Sequence, residues 1–227
     1  MDVIEKAIKE GRNALSEHES KEILRSYGIP VTKEMEVRDR KGVVKAAGDI
    51  GFPLVLKACG PELSHKTEGG LVRVDIRNEE EALAAFEDIM AALGNDKGAV
   101  LVQEMVRGQR ELVAGLTRDV QFGPCVMFGL GGIFTEILKD ISFRVAPIEK
   151  RDAMEMMQEI KGRKILEEVR GMPSADLDQL ADILIKVGSI GMEQDRIKEI
   201  DINPIILKGS QPVAVDALVI LEQDPSE

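Results

Sequence analysis

Residues 52–71 read F-P-L-V-L-K-A-C-G-P-E-L-S-H-K-T-E-G-G-L. A short apolar run ends at Lys57 and Ala58. A polar loop then carries His65 beside Lys66, and Gly69-Gly70 lead into a second run, L-V-R-V-D-I. Apolar runs of this length between glycine and proline punctuation read as strands. The loop is not a phosphate loop of the kind that opens a helix. No G-x-x-x-x-G-K-[ST] occurs anywhere in the chain, nor a strand-borne G-x-G-x-x-G. A nucleotide site built on this loop therefore uses another architecture. Lys57 has two readings. A lysine in an apolar strand snorkels to solvent, or it points into a cleft and neutralises an anion. Gly69-Gly70 favour the second, because their amides can approach an anion closely and form a nest. His65 is either an exposed loop imidazole or a ligand-facing one.

Outward from this stretch, residues 32–93 alternate strand, helix, strand, strand, helix. Strands are expected at 32–37, 53–58 and 71–76, and a helix at 39–50. A second helix begins at Asn78, with Glu81 at the capping-box position and Leu83, Phe86, Met90 and Leu93 on one stripe. Upstream, helices are expected at 2–14 and 16–28. Ser16 and Glu19 form a capping box for the latter, and Gly28 and Pro30 stop it. His18 falls in its first turn and reads as local packing or surface.

From residue 99 the pattern changes. Strands are expected at 99–106, 111–116, 124–129 and 141–146, and helices at 149–159 and 174–192. Leu177, Leu180, Leu184 and Val187 form one face of the last helix. Two final strands follow, 196–207 broken at Pro204, and 212–221. The fold class is α+β, with two lobes of sheet and helix. Residues 20–98 form a smaller N-terminal lobe; 1–19 with 99–227 form a larger one.

Several polar residues stand out in this framework. In K-E-I-D-I-N-P-I-I-L, Asp201 and Asn203 share a strand face, because side chains two apart point the same way. Asp216 interrupts P-V-A-V-D-A-L-V-I-L and needs a cation or a hydrogen-bond partner if buried. Pairing of the last two strands would bring three oxygen-bearing side chains together, a set that suits Mg²⁺ with phosphate oxygens completing its shell. The alternative reading is three unrelated polar residues at strand ends. Glu104, in V-Q-E-M-V, offers a carboxylate to an adenine ring or simply faces solvent. Gly131-Gly132 lie in a second glycine loop, G-L-G-G-I, whose default is a turn. Arg144, in I-S-F-R-V-A-P, binds phosphate or lines the surface.

Composition narrows the function classes. The formal charge of -11 argues against duplex DNA or an anionic membrane as the main partner. With no Trp, one Tyr and six Phe, the chain lacks stacking platforms for single strands. Two cysteines make no disulfide framework, and a reduced, cytoplasmic chain is the expectation. No apolar stretch reaches the length of a membrane span.

Together, L-S-E-H-E-S-K-E-I-L-R-S-Y-G-I-P-V, P-L-V-L-K-A, S-H-K-T-E-G-G-L, V-Q-E-M-V, G-L-G-G-I-F-T-E-I-L-K-D-I-S-F-R and E-I-D-I-N-P-I-I-L resemble the ATP-grasp superfamily. More closely, they resemble the β subunits of ADP-forming acetyl-CoA synthetases, relatives of the succinyl-CoA synthetase β subunit. The resemblance covers nearly the whole chain. It implies two α/β lobes with ADP/ATP between them, and the reaction acyl-CoA + ADP + phosphate ⇌ carboxylate + ATP + CoA. It also implies an α-type partner that carries the CoA and acyl sites and a phosphohistidine, in an α2β2 assembly. By the same resemblance His65 ferries the phosphoryl group and Lys57 binds nucleotide phosphate. Glu104 and Val106 form the adenine hinge, and Glu111 binds ribose. Asn203 and Asp216 hold Mg²⁺, with Asp201 assisting. Arg144 and the Gly131-Gly132 loop approach phosphate or the α-subunit interface. Two other functions fit the residues: a stand-alone ATP-grasp carboxylate ligase without a phosphohistidine relay, and a nucleotide-sensing subunit without turnover.

Overall fold

The computed structural model describes residues 3–60, 71–94, 98–132 and 140–222. They fall into two compact units. One comprises Ser16–His18 and Thr32–Met105; the other comprises Met1–Leu15, Glu19–Val31 and Val106–Glu227. The last boundary between the units falls at 105/106, after residues 99–104 rather than before them. The reason is strand pairing. Residues 99–104 open a new series of strands in the sequence, but they hydrogen-bond into the smaller unit's sheet.

The smaller unit holds β1 (Glu34–Val37), α3 (Arg40–Ile50), β2 (Leu54–Cys59), β3 (Val72–Ile76), α4 (Glu79–Leu93) and β4 (Ala99–Glu104). Its antiparallel sheet has the order β1-β4-β2-β3. Both helices start as expected. Asp39 caps α3 by accepting from Gly42 N–H at 2.7 Å, and Asn78 caps α4 by accepting from Glu81 N–H at 2.9 Å. The Glu81 carboxylate accepts from Arg77 N–H, one residue before the cap. Leu54, Leu56, Ala58, Val37, Val100 and Val102 pack with Val43, Ala46, Phe86 and Ile89 of the helices. Strand alternation sends Glu34, Glu36, Lys57, Cys59, Leu101 and Gln103 to the opposite face.

The larger unit begins with α1 (Val3–Lys9). Most of α2 (Glu17–Ser26) belongs to it, while the first turn of α2 groups with the smaller unit. Then come β5 (Glu111–Asp119), β6 (Gly123–Leu130), β7 (Ile141–Val145), α5 (Lys150–Glu159), α6 (Leu177–Glu193), β8 (Ile197–Lys208), β9 (Gln211–Ala214) and β10 (Leu218–Leu221). The sheet order is β10-β8-β5-β6-β7, with β9 also on β8. Two strand expectations change here. β8 runs unbroken through Pro204, joined to Asn203 by a cis peptide bond; the break lies in its partner, at residues 215–217. α5 and α6 cover one face, where Ile200, Leu116, Val126 and Val219 pack with Leu180, Leu184, Val187 and Ile190. The register places Leu218, Asp201, Gly115, Met127 and Phe143 in one row on the other face, where Phe143 is exposed and Met127 and Asp201 are half-buried.

Candidate functional site

In the larger unit the sheet face opposite α5 and α6 gathers four of the candidate residues. Glu111 opens β5, and Gly115, four residues on, pairs with Asp201 on β8. Glu111, Gly115, Asp201 and Asn203 therefore share a face by alternation, with a register shift in β5 between Leu112 and Ala114. Asp216 joins them. Ala214 pairs with Ile205 and Leu218 with Asp201, so the register is the same on both sides of the break and Asp216 falls opposite Asn203. Val215 N–H donates to Pro204 O at 3.0 Å, which agrees with that register.

The electrostatics agree. The Asp201 carboxyl is pushed up to about 6, first by burial, then by Glu199 and then by Asp216. Among the described residues no three of Asp, Glu, His and Cys meet in a ready-made metal cage. Two carboxylates and an amide oxygen nevertheless suit Mg²⁺, which uses one or two carboxylates and leaves other positions to phosphate and water. A carboxyl that resists ionisation through burial, with further carboxylates near it, is a place where a cation is welcome. The residues fit the ion.

The Gly131-Gly132 loop packs on Glu111. Gly131 N–H donates to Glu111 O at 2.8 Å. A Cβ on Gly131 would stand 2.8 Å from backbone atoms of Glu111 and Leu112, so no side chain fits. Gly132 has φ +63 and lies against the Glu111 carboxylate. Arg110 fastens this end of the unit. Its buried guanidinium donates to the carbonyls of Ile165, Pro173 and Gly209 at 3.1, 2.7 and 2.7 Å. Sequence reasoning missed Arg110, because its four carbonyl partners are 55 to 99 residues away.

Arg144 is not brought to this group. It pairs with Val126, so it lies on the helix-covered face, three strands from β8. Its guanidinium is held by both oxygens of Glu159, whose charge and hydrogen bonds also raise the arginine's pKa. On its edge strand it pairs with a helix carboxylate, apart from the acidic residues of β8.

In the smaller unit, Lys57 does not snorkel. Its side chain is only 9 % exposed, and Nζ donates to Glu17 Oε1 at 2.9 Å, with Glu17 itself 2 % exposed. The pair sits on the sheet face opposite the core. Beside it, His18 Nδ1 lies 3.0 Å from Oε1 of the fully buried Glu34, and Thr32 Oγ1 donates to Oε2 at 3.2 Å. Neither Glu17 nor Glu34 was legible as a site residue. Each reads locally as an ordinary acid in a helix first turn or an alternating strand. Glu104 ends β4, and its carboxylate accepts from Lys33 N–H at 2.8 Å, so it clasps the entry to β1. Its own N–H donates to Lys33 O. Val106, buried, opens the last segment of the larger unit. His65, Gly69 and Gly70 lie outside the described residues. Cys59 and Cys125 are free thiols. Among the described residues no helix is long and apolar enough to cross a membrane.

Comparisons with known proteins place this geometry in a family. The ATP-grasp domain model matches residues 6–221. The chain is 49% identical over 225 residues to the β subunit of acetate–CoA ligase (ADP-forming) I of Pyrococcus furiosus, covering 97% of each. It is 37% identical over 227 residues to acetate–CoA ligase (ADP-forming) I of Archaeoglobus fulgidus, covering 98% of this chain and 33% of that protein. Among solved structures it resembles acetyl-coenzyme A synthetase 1 of Ca. Korarchaeum cryptofilum, with TM-score 0.87 and 44% identity over 97% of this chain and 99% of that one. That protein is in complex with coenzyme A and Mg-AMPPCP, its phosphohistidine segment pointing towards the nucleotide-binding site. The chain belongs to the ATP-grasp family, among the β subunits of the ADP-forming acetate–CoA ligases.

Proposed function

We propose that this chain is the nucleotide-binding, phosphoryl-transferring subunit of an ADP-forming acyl-CoA synthetase, acting with an α-type CoA-binding partner in an α2β2 assembly. The overall change is acyl-CoA + ADP + phosphate ⇌ carboxylate + ATP + CoA. The partner carries the CoA and acyl sites and a phosphohistidine. His65 accepts the phosphoryl group as that N–P bond breaks. It then yields the group to a terminal oxygen of ADP and returns to free imidazole. Imidazole suits this role because it is nucleophilic near neutral pH.

The observation that supports this reading most is the shared face of Glu111, Asp201, Asn203 and Asp216, on which Asp201 resists ionisation. Asp201, Asn203 and Asp216 would hold Mg²⁺. The bound ion would neutralise phosphate charge during transfer. Glu111 receives the ribose, and the Glu104-Met105-Val106 segment presents backbone groups to the adenine edge. Lys57 meets the phosphates, with Glu17 keeping its ammonium in place beforehand. A reducing cytoplasmic setting accords with the two free thiols.

The test is reconstitution with an α-type subunit, using acetyl-CoA, ADP and phosphate. Wild type forms ATP and carries a transient phosphohistidine. His65→Ala binds ADP with unchanged affinity and forms no ATP. Unchanged turnover in His65→Ala would remove the relay. Activity of the chain alone, indifferent to His65, would identify a stand-alone ligase. ADP binding without transfer, partner present, would identify a sensing subunit.

A further inference from the structure

The outer side of β9 and β10, away from β8, is lined by the N-terminal segment. Leu15 N–H donates to Val219 O at 3.0 Å, Leu221 N–H to Asn13 O at 2.8 Å, and Ala214 N–H to Pro30 O at 2.9 Å. Between these backbone-paired stretches runs α2. A helix spends its own backbone groups internally and cannot continue a strand ladder. Two of its side chains take over. Lys21 Nζ donates to Val215 O at 2.9 Å, and Ser20 Oγ accepts from Val219 N–H at 3.1 Å. Both residues are fully buried. Val215 N–H meanwhile points inward to Pro204 O. The residue before Asp216 is thus held from both sides, by β8 and by Lys21.

A buried ammonium is expensive unless it is well engaged. An apolar side chain would fill the same space without that cost, so the charge has a use where it stands. We propose that Lys21 is a positioning residue for Asp216. Its ammonium replaces the N–H of a missing neighbouring strand, fixes the 215–217 break between β9 and β10, and sets the aim of the Asp216 carboxylate beside Asn203 and Asp201. The proposal rests on the reading that these residues hold the Mg²⁺ of the bound nucleotide.

The test uses the full chain with AMPPCP as probe, measured with and without Mg²⁺, and hydrogen exchange of peptides spanning 213–219. Lys21→Met is compared with Lys21→Arg and Asp216→Asn. Lys21→Met is expected to raise exchange in 213–219 and the Mg²⁺ concentration for half-maximal binding about tenfold to a hundredfold, as loss of an outer-shell support does. Its Mg²⁺-free affinity for AMPPCP stays unchanged, and Lys21→Arg recovers most of the loss. Wild-type exchange, or lower stability with an unchanged Mg²⁺ requirement, overturns the proposal. If Lys21→Met does not fold, Lys21→Ala, which also removes the donor, takes its place under the same criteria. Asp216→Asn with a wild-type Mg²⁺ requirement refutes the metal reading instead, and the exchange result then decides Lys21 alone.

Discussion

Asp201→Asn is expected to stabilise the metal-free protein, and by an amount that depends on pH. In the folded chain the Asp201 carboxyl titrates near 6, against an ordinary value of 3.8. A carboxyl whose folded pKa is raised binds more protons in the folded state between those two values. Stability therefore falls as pH rises through that window, and the loss is complete above the folded pKa. The difference of about two units corresponds to about 3 kcal/mol at pH 7.5, falling to about 0.5 kcal/mol at pH 4. Asparagine has nearly the same shape and no charge, so it removes the pH-dependent part alone. The assay is urea unfolding of wild type and variant in a chelator at several pH values, comparing the difference between the two so that other titrations cancel. The difference should grow in the variant's favour from pH 4 to pH 7.5 and shrink when Mg²⁺ and ADP are added. A difference that is flat with pH, or that favours wild type above pH 7, would show that Asp201 is not crowded by Glu199 and Asp216, and the argument for a cation there would fail.

Two further outcomes concern buried charge. Lys57→Met leaves Glu17 buried without its cation and should cost about 3–5 kcal/mol. Adding Glu17→Gln should restore most of that stability without restoring nucleotide binding, and a double variant as unstable as the single one would refute the pairing. Arg110→Met deprives the carbonyls of Ile165, Pro173 and Gly209 of their buried donor. A loss of about 3–5 kcal/mol is expected by thermal or urea unfolding, and a change under 1 kcal/mol would contradict the clasp.

Much of the local structure was readable. Asp39 and Asn78 cap the helices they precede, and of the expected stripe Leu180, Leu184 and Val187 are buried and Leu177 partly so. Where the reading failed, the cause was long-range. Residues 99–104 carry nothing that says which sheet they join, since membership is decided by hydrogen bonds to strands 40 to 69 residues upstream. Proline inside 197–208 looked like a break because it cannot donate. The Asn203-Pro204 peptide is cis, and β8 continues through it. Asp216 announced a special position in its own run, but not that the strand around it is interrupted.

The sequence by itself determined the alternation of elements, and through its motifs the family and the set of oxygen-bearing residues. That information is local: periodicity, caps and short motifs are written within a few residues of where they act. Tertiary structure alone decided how those residues are used. It placed Glu111, Asp201, Asn203 and Asp216 on one face and sent Arg144 to the other, through strand registers that no single segment specifies. It also supplied the partners of the buried charges, Glu17 for Lys57 and the Val215 carbonyl for Lys21. A charge can be buried only against a complementary group, and the chain brings that group from up to 194 residues away.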